Sequence, residues 1–319
     1  MKGLTDIAGI RVGHATDEAA LTGCTVILCE EGAVAGADIR GSASGTEEFS
    51  VLEPGHVTER IHAVVLAGGS AFGLEAASGV RRFLARRGVG LRFAGAIVPS
   101  VPAAILFDLA VGRSDVWPTR EMGEAAAAAA TSEAVEEGSV GAGTGATVGK
   151  AFGIGRAMKG GIGSATVSLG GGSSVRVAAL AAVNALGDVI APHPGHILAG
   201  ARTAPDRMEF ADTARALLEG SASITSSQNT TLVVVATNAG LSKVQARKLA
   251  QLGQIGLART IRPVHTMSDG DVVIALSVGT QEANINALGV AAAAAVEEAI
   301  MRGVQRAAGR GGIPGLANN

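Results

Sequence analysis

The hydrophobic positions of this chain fall into two patterns. Short unbroken apolar runs rich in Val, Ile and Leu, bounded by glycine or polar turns, read as strands buried on both faces, whereas apolar positions three and four apart read as helices. To the first class belong 24–29 (CTVILC), 61–66 (IHAVVL), 103–109 (AAILFDL), 232–235 (LVVV) and 271–278 (DVVIALSV), with shorter pieces in 5–17, 157–168 and 175–191. To the second belong 71–87, with a basic outer face at Arg81, Arg82, Arg86 and Arg87, then 118–134, opened by a proline, and 285–302. A further helix, 242–258, is opened by the capping box Ser242-Lys243-Val244-Gln245. After residue 230 the order is strand, helix, strand, helix. The chain is therefore predicted to be α/β, with helices laid outside two stacked sheets. The closing GRGGIPGLANN is predicted to be a loose tail.

Composition narrows the partners more than the fold. Lys plus Arg number 26 and Asp plus Glu 28, a net charge of −2, so no basic field predicts nucleic acid or an acidic membrane surface; a small molecule is the expected partner. Glycine supplies 46 of 319 residues, aromatics only 3 %, and tyrosine is absent, which points to elements packed closely through small side chains. The two cysteines, Cys24 and Cys29, stand at an odd spacing on one predicted strand, so their side chains point to opposite faces and an internal disulfide is not expected. The first residues lack the order of a signal peptide, and no apolar run reaches membrane-spanning length, so a cytoplasmic location is expected.

Candidate chemistry collects at 226–238, SSQNTTLVVVATN, where a polar turn runs directly into a buried strand. Cleavage of the Asn229–Thr230 bond would give Thr230 a hydroxyl nucleophile and an α-amine of pKa about 7.7–8.0, a base suited to neutral pH. A polar loop feeding a core strand reads the same way locally. Two glycine-rich stretches fail as nucleotide sites. Gly68-Gly69-Ser70 lacks the glycine pattern of a dinucleotide loop or a serine-hydrolase elbow, and is left as a tight helix-on-strand turn or as amides lining a substrate pocket. In GAGTGATVGK, residues 141–150, Gly143 and Gly149 are one residue too far apart and Ala151 stands where a phosphate loop needs Ser or Thr. The turn His193-Pro194-Gly195-His196 has no cysteine or carboxylate cluster nearby to make a metal site. Asp269 and Asp271, in SDGD, fall at the mouth of the next strand, where alternation puts both carboxylates on one side; a solvated acidic turn is the plainer reading.

Eight blocks in order, TDIAGIRVGH, DIRGSASGTEE, LAGGSAFGLEAA, GAGTGATVGK, MKGGIGSA, VNALGDV, NTTLVVVATNA and SDGD, resemble the self-processing aminopeptidases of the DmpA family and the related nylon-oligomer hydrolases. The resemblance implies a four-layer αββα sandwich of the N-terminal-nucleophile-like type, formed by 1–319 as one domain. It also implies self-cleavage between Asn229 and Thr230 into 1–229 and 230–319, with Thr230 as nucleophile. Lys159 matches the family lysine placed near the nucleophile, Asn184 the family asparagine apt for an oxyanion hole, and Asp269 and Asp271 the acidic pair that holds the threonine. Phe107 stands where the family carries a tyrosine, so a phenolic donor is missing and activity or substrate is expected to differ. Phe107, Gly68, Gly69 and Ser70 are the candidate pocket residues. The implied reaction is hydrolysis of short peptides, amino-acid amides or ω-amino-acid oligomers, with no metal or organic cofactor, in a homo-oligomer, a tetramer for preference. Acyl transfer of the ornithine acetyltransferase type and a non-enzymatic binding role are the alternatives.

Overall fold

The computed structural model describes residues 2–222 and 229–317; residues 226–228 of the candidate segment lie outside them. Nine strands make the main β-structure. They are β1 (Arg11–Asp17), β2 (Thr22–Ile39), β3 (Gly45–Glu47), β4 (Ile61–Ala67), β5 (Ala103–Ile105), β6 (Ile162–Ser168), β7 (Arg176–Asn184), β8 (Thr230–Ala239) and β9 (Val272–Gln281). The hydrogen-bonded order is β6-β7-β8-β9-β2-β4-β5-β3, with β1 also on β2. Four long helices accompany them: α1 (Glu75–Arg86), α2 (Arg120–Ala129), α3 (Lys243–Thr260) and α4 (Ile285–Gln305).

The long strand β2 belongs to two layers. Residues 22–28 pair with β1 and β4, the register slips between Leu28 and Ala33, and residues 34–39 pair with β9. An extra stretch of chain at such a slip bends the strand and lets it leave one sheet for another. Strand alternation then sorts the apolar side chains into three layers. Leu180, Leu232, Val234 and Ile274 meet Ile27, Val64 and Leu66 between the sheets. On the far side of one sheet, Val177, Val233, Val235 and Val273 pack on Leu249, Leu257, Leu288 and Val296 of α3 and α4. On the far side of the other, Val26, Leu28, Ala63 and Val65 pack on Val80, Leu84 and Ala126 of α1 and α2. The architecture is the αββα sandwich. Cys24 and Cys29, both free, fall in different layers, as their odd spacing requires.

Small residues set how closely the helices approach. A side chain on Gly79 would lie 1.9 Å from the Arg120 carbonyl oxygen, and one on Gly123 would lie 2.0 Å from that of Ala76, so α1 and α2 touch backbone to backbone. The capping box of α3 is formed as expected, with Ser242 and Gln245 bonding reciprocally.

Three expectations are corrected. The strand expected over 103–109 stops at Ile105, because the chain turns so that the Asp108 carboxylate can accept from Gly69 N and Thr22 Oγ1, each at 2.7 Å. The helix expected over 118–134 ends at Ala129, since Thr131 exchanges backbone hydrogen bonds with Val12 of β1. The tail is not loose: its Pro314 carbonyl accepts from Lys159 N at 2.8 Å, Ala317 N donates to Ala307 O at 3.0 Å, and Ile313 is buried against Leu21 and Val111. Glycine and proline in GRGGIPG shape a compact turn rather than a mobile end.

Gly123→Leu should push the α1–α2 pair apart and lower the unfolding free energy by about 1–3 kcal/mol or more, the usual effect of overpacking. Urea unfolding checks this; an unchanged midpoint would mean the two helices are not held at backbone contact.

Candidate functional site

Thr230 is the first residue of β8, the strand inserted between β7 and β9. The register sets Asn184, the last residue of β7, directly opposite Thr230, while Leu232 two residues on pairs with Val272 of β9. By alternation with Leu232 and Leu180, both side chains lie on the side that faces the other sheet. Thr230 is 2 % exposed and Asn184 fully buried. The peptide preceding Thr230 is gripped on its carbonyl: Asn229 O accepts from Gly270 N at 2.8 Å and from Thr230 Oγ1 at 2.5 Å. Asn229 Nδ2 donates to Ser268 O at 3.2 Å. Only glycine fits at 270, since a Cβ there would lie 2.6 Å from Thr230 Oγ1 and 2.7 Å from Ala43 O.

Three neighbours fix the Asn184 amide. Its Oδ1 accepts from Lys150 Nζ at 2.8 Å and from Thr147 N at 3.0 Å, while its Nδ2 donates to Phe107 O at 3.0 Å. Donors on one side and an acceptor on the other leave the amide a single orientation, with one N–H still uncommitted to these partners. Lys150 also donates to the Asn184 carbonyl at 3.0 Å. Burial lowers its pKa to about 7, against the opposing pull of Asp269, Asp108 and Asp271. Phe107, Asp108, Thr147 and Lys150, together with Val111 and Ile154, line a pocket of about 130 Å³.

The acidic pair braces backbone rather than the threonine hydroxyl. Asp271 Oδ1 accepts from Thr231 N at 2.8 Å, and its Oδ2 accepts from His265 N and meets His265 Nδ1 at 2.9 Å. Asp269 accepts from Leu186 N at 3.2 Å and from both the backbone and the hydroxyl of Thr266. Burial, and then the neighbouring Asp271 charge, raise the Asp269 pKa.

Of the residues marked in the sequence, Thr230 and Asn184 are brought together as strand partners. Asn229 and Asp269 pair through a backbone bridge, and Asp271 bonds to the residue after Thr230. Gly69 supports the site at one remove, through the Asp108 carboxylate, and Ser70 N donates to Leu106 O. A side chain on Gly68 would strike Asp108 Oδ2 at 2.1 Å. Lys159 lies deeper, its fully buried ammonium donating to Thr144 O and Ala146 O, each at 2.7 Å. Its pKa too is lowered to about 7 by burial, against the pull of Asp108.

The lysine that meets Asn184 is Lys150, which the sequence reading passed over after rejecting GAGTGATVGK as a phosphate loop. Asp108 and His265 were also missed. The signal for Lys150 was a lysine closing a glycine-rich turn within the resembling blocks; nothing local distinguishes Asp108 or His265.

Two stacked sheets between two helix pairs make an αββα sandwich, and Thr230 opens one of its central strands. The chain belongs to Peptidase family S58, whose sequence model matches residues 2–316. It is 40 % identical over 301 residues to an uncharacterized aminopeptidase of Mycobacterium leprae, covering 90 % of this chain and 81 % of that protein. It is 31 % identical over 315 residues to the 6-aminohexanoate-oligomer endohydrolase of Kocuria sp., covering 93 % and 84 %. Among solved structures, the Burkholderia sp. β-aminopeptidase shares the fold with a TM-score of 0.71 at 23 % identity, over 99 % of this chain and 91 % of that one. The L-aminopeptidase D-Ala-esterase/amidase of Ochrobactrum anthropi, described as a variant of the Ntn hydrolase fold, gives 0.74 at 21 % identity, over 96 % and 86 %. The chain is an amide hydrolase. No described helix is long and apolar enough to cross a membrane.

The two buried lysines set a pH dependence. Each has a folded pKa of about 7 against 10.5 unfolded, so between these values the unfolded chain binds more protons and stability rises with pH. One such lysine contributes a slope of about 1.4 kcal/mol per pH unit. In a Thr230→Ala background, Lys150→Met should lower the slope of unfolding free energy against pH by about that amount; an equal slope would refute the assignment.

Proposed function

We propose that this chain cuts its own Asn229–Thr230 bond and then hydrolyses amides with Thr230 as an N-terminal nucleophile. The observation that carries the reading is the contact at that bond: the Thr230 hydroxyl lies 2.5 Å from the carbonyl oxygen of residue 229, which Gly270 N–H already polarises at 2.8 Å. In the first reaction Thr230 Oγ adds to the Asn229 carbonyl carbon. The C–N bond breaks, the amine keeps the proton released by the hydroxyl, and an ester links the two halves. Water then hydrolyses the ester, leaving Asn229 with a carboxylate and Thr230 with a free α-amine. Gly270 N–H stabilises the oxygen that becomes negative on the way.

In turnover the Thr230 amine takes the hydroxyl proton as Oγ attacks the substrate carbonyl. The same proton goes to the departing amine, and water releases the acyl group. The uncommitted N–H of Asn184 is the natural donor to the developing oxyanion, with Lys150 and Thr147 holding the amide in place. Asp271 fixes the backbone just after the nucleophile, at Thr231 N, and Asp269 fixes Leu186 N, two residues past Asn184, which together hold the two strand ends in place. Phe107 serves through its backbone carbonyl, so the missing phenol leaves the Asn184 anchor intact.

The substrates are short peptides or amino-acid amides, the class suggested by the aminopeptidase relatives at the higher identity. Oligomers of 6-aminohexanoate, the substrate named for the Kocuria relative, are the nearest comparison.

On a denaturing gel, wild type should resolve into pieces corresponding to 1–229 and 230–319, and Thr230→Ala should stay whole and hydrolyse no aminoacyl amide. An intact wild-type chain that retains hydrolysis would overturn the processing step. Asn184→Ala should lower kcat by about 100- to 1000-fold, the usual loss for one oxyanion donor.

A further inference from the structure

We infer that the C-terminal segment 309–317 is the outer support of the pocket beside Asn184, and that Ile313 is the positioning residue that sets the pocket's width, restricting it to small or branched aliphatic acyl side chains. This rests on the amide-hydrolase reading above, whose substrate class it narrows.

The pocket has a polar end and an apolar end. Lys150, Thr147 and Phe107 are all direct hydrogen-bond partners of Asn184, so the polar end abuts the candidate oxyanion donor. At the other end Val111 and Ile154 form the wall. Neither is backed by a main sheet. Val111 packs with Leu21 and Ile313 in a small separate cluster, and Ile154 packs against the same cluster. Ile313 and Leu21 are therefore the residues behind the wall, and Ile313 is the one that the C-terminal segment brings.

The segment that carries Ile313 is built to hold it there. Ile313 and Arg310 exchange backbone hydrogen bonds at 2.9 and 3.1 Å. Pro314 O accepts from Lys159 N, Ala308 O accepts from Ser139 Oγ at 3.1 Å, and Ala317 N returns to Ala307 O. Gly311 lies so close that a Cβ there would meet Leu21 Cδ1 at 2.7 Å. Arg310 approaches Glu18 at 3.5 Å.

Pocket size then sets the ligand class. A volume of about 130 Å³ is smaller than the roughly 150 Å³ of a dry cavity that admits a benzene ring. An alanyl or valyl side chain enters with room to spare, whereas a phenylalanyl side chain would fill the space completely and fits best where Val111 and Ile154 retreat. Because packed interiors transmit volume changes, shortening Ile313 gives those two residues room to do so.

The test uses the amides of alanine, valine and phenylalanine with wild type, Ile313→Ala and the milder Ile313→Val. Turnover is measured in the processed proteins and binding by calorimetry in the same chains carrying Thr230→Ala. The preference for valinamide over phenylalaninamide should fall about 10-fold or more in Ile313→Ala, the scale of a few methylenes in an apolar pocket, and less in Ile313→Val, with the change carried by KM. Should Ile313→Ala not fold, Ile313→Val alone decides the direction. An unchanged preference, or equal weakening of all three amides, overturns the inference while leaving the hydrolase intact. A shifted binding preference without any turnover in wild type supports the inference and sinks the Thr230 reading. No binding and no turnover sinks both.

Discussion

The site depends on one backbone register, the pairing that sets Asn184 opposite Thr230 at the mouth of two adjacent antiparallel strands. A slip of one residue would turn both side chains to the other face of the sheet. What prevents the slip is the apolar sorting farther along. Leu180 and Val234 must face the middle layer, and Val183 and Val233 the helices, so the core fixes the frame in which the polar ends meet. Several buried polar groups at that mouth are bonded to one another: a lysine and a backbone amide on the Asn184 oxygen, a carbonyl on its nitrogen, and the Asp271 carboxylate on the amide after the threonine. Such a network, buried and mutually bonded, is rigid because every member loses a partner if one moves.

Much of the fold was legible in the sequence because its signals were local. The valine-rich run after Thr230, the capping box at Ser242 and the odd spacing of the cysteines each follow from periodicity or backbone chemistry, and the structure holds all three. The failures came where distant contacts override local preference. AAILFDL reads as one strand, yet Asp108 leaves it to bond Gly69 and Thr22. GRGGIPG reads as a frayed end, yet Lys159, far back in the chain, supplies the hydrogen bond that holds it.

The site was legible as a set of residue types more than as a geometry. Thr230 and the acidic pair could be marked because they stand at strand mouths, whereas Asn184 was marked only by its match to the family blocks. The two lysines could not be ranked in that way. Lys150 follows one glycine-rich turn and Lys159 precedes another, and only the folded chain reveals that Lys150 reaches the asparagine while Lys159 turns inward to the carbonyls of Thr144 and Ala146. His265 follows the same logic: it stands against Asp271 only because the loop before β9 folds back.

The position of β8 and β9 in the sheet order bears on what a nick before residue 230 would do to the molecule. β8 is zipped to β7 and β9 to β2, so the piece beginning at Thr230 has both of its sheet edges occupied by the other piece. Its last residues also reach back across to Lys159. Pulling the halves apart would bare two strand edges and the middle apolar layer at once, a far larger loss than one peptide bond supplies. A chain severed there would be mechanically silent, its new end lying on a strand paired on both sides.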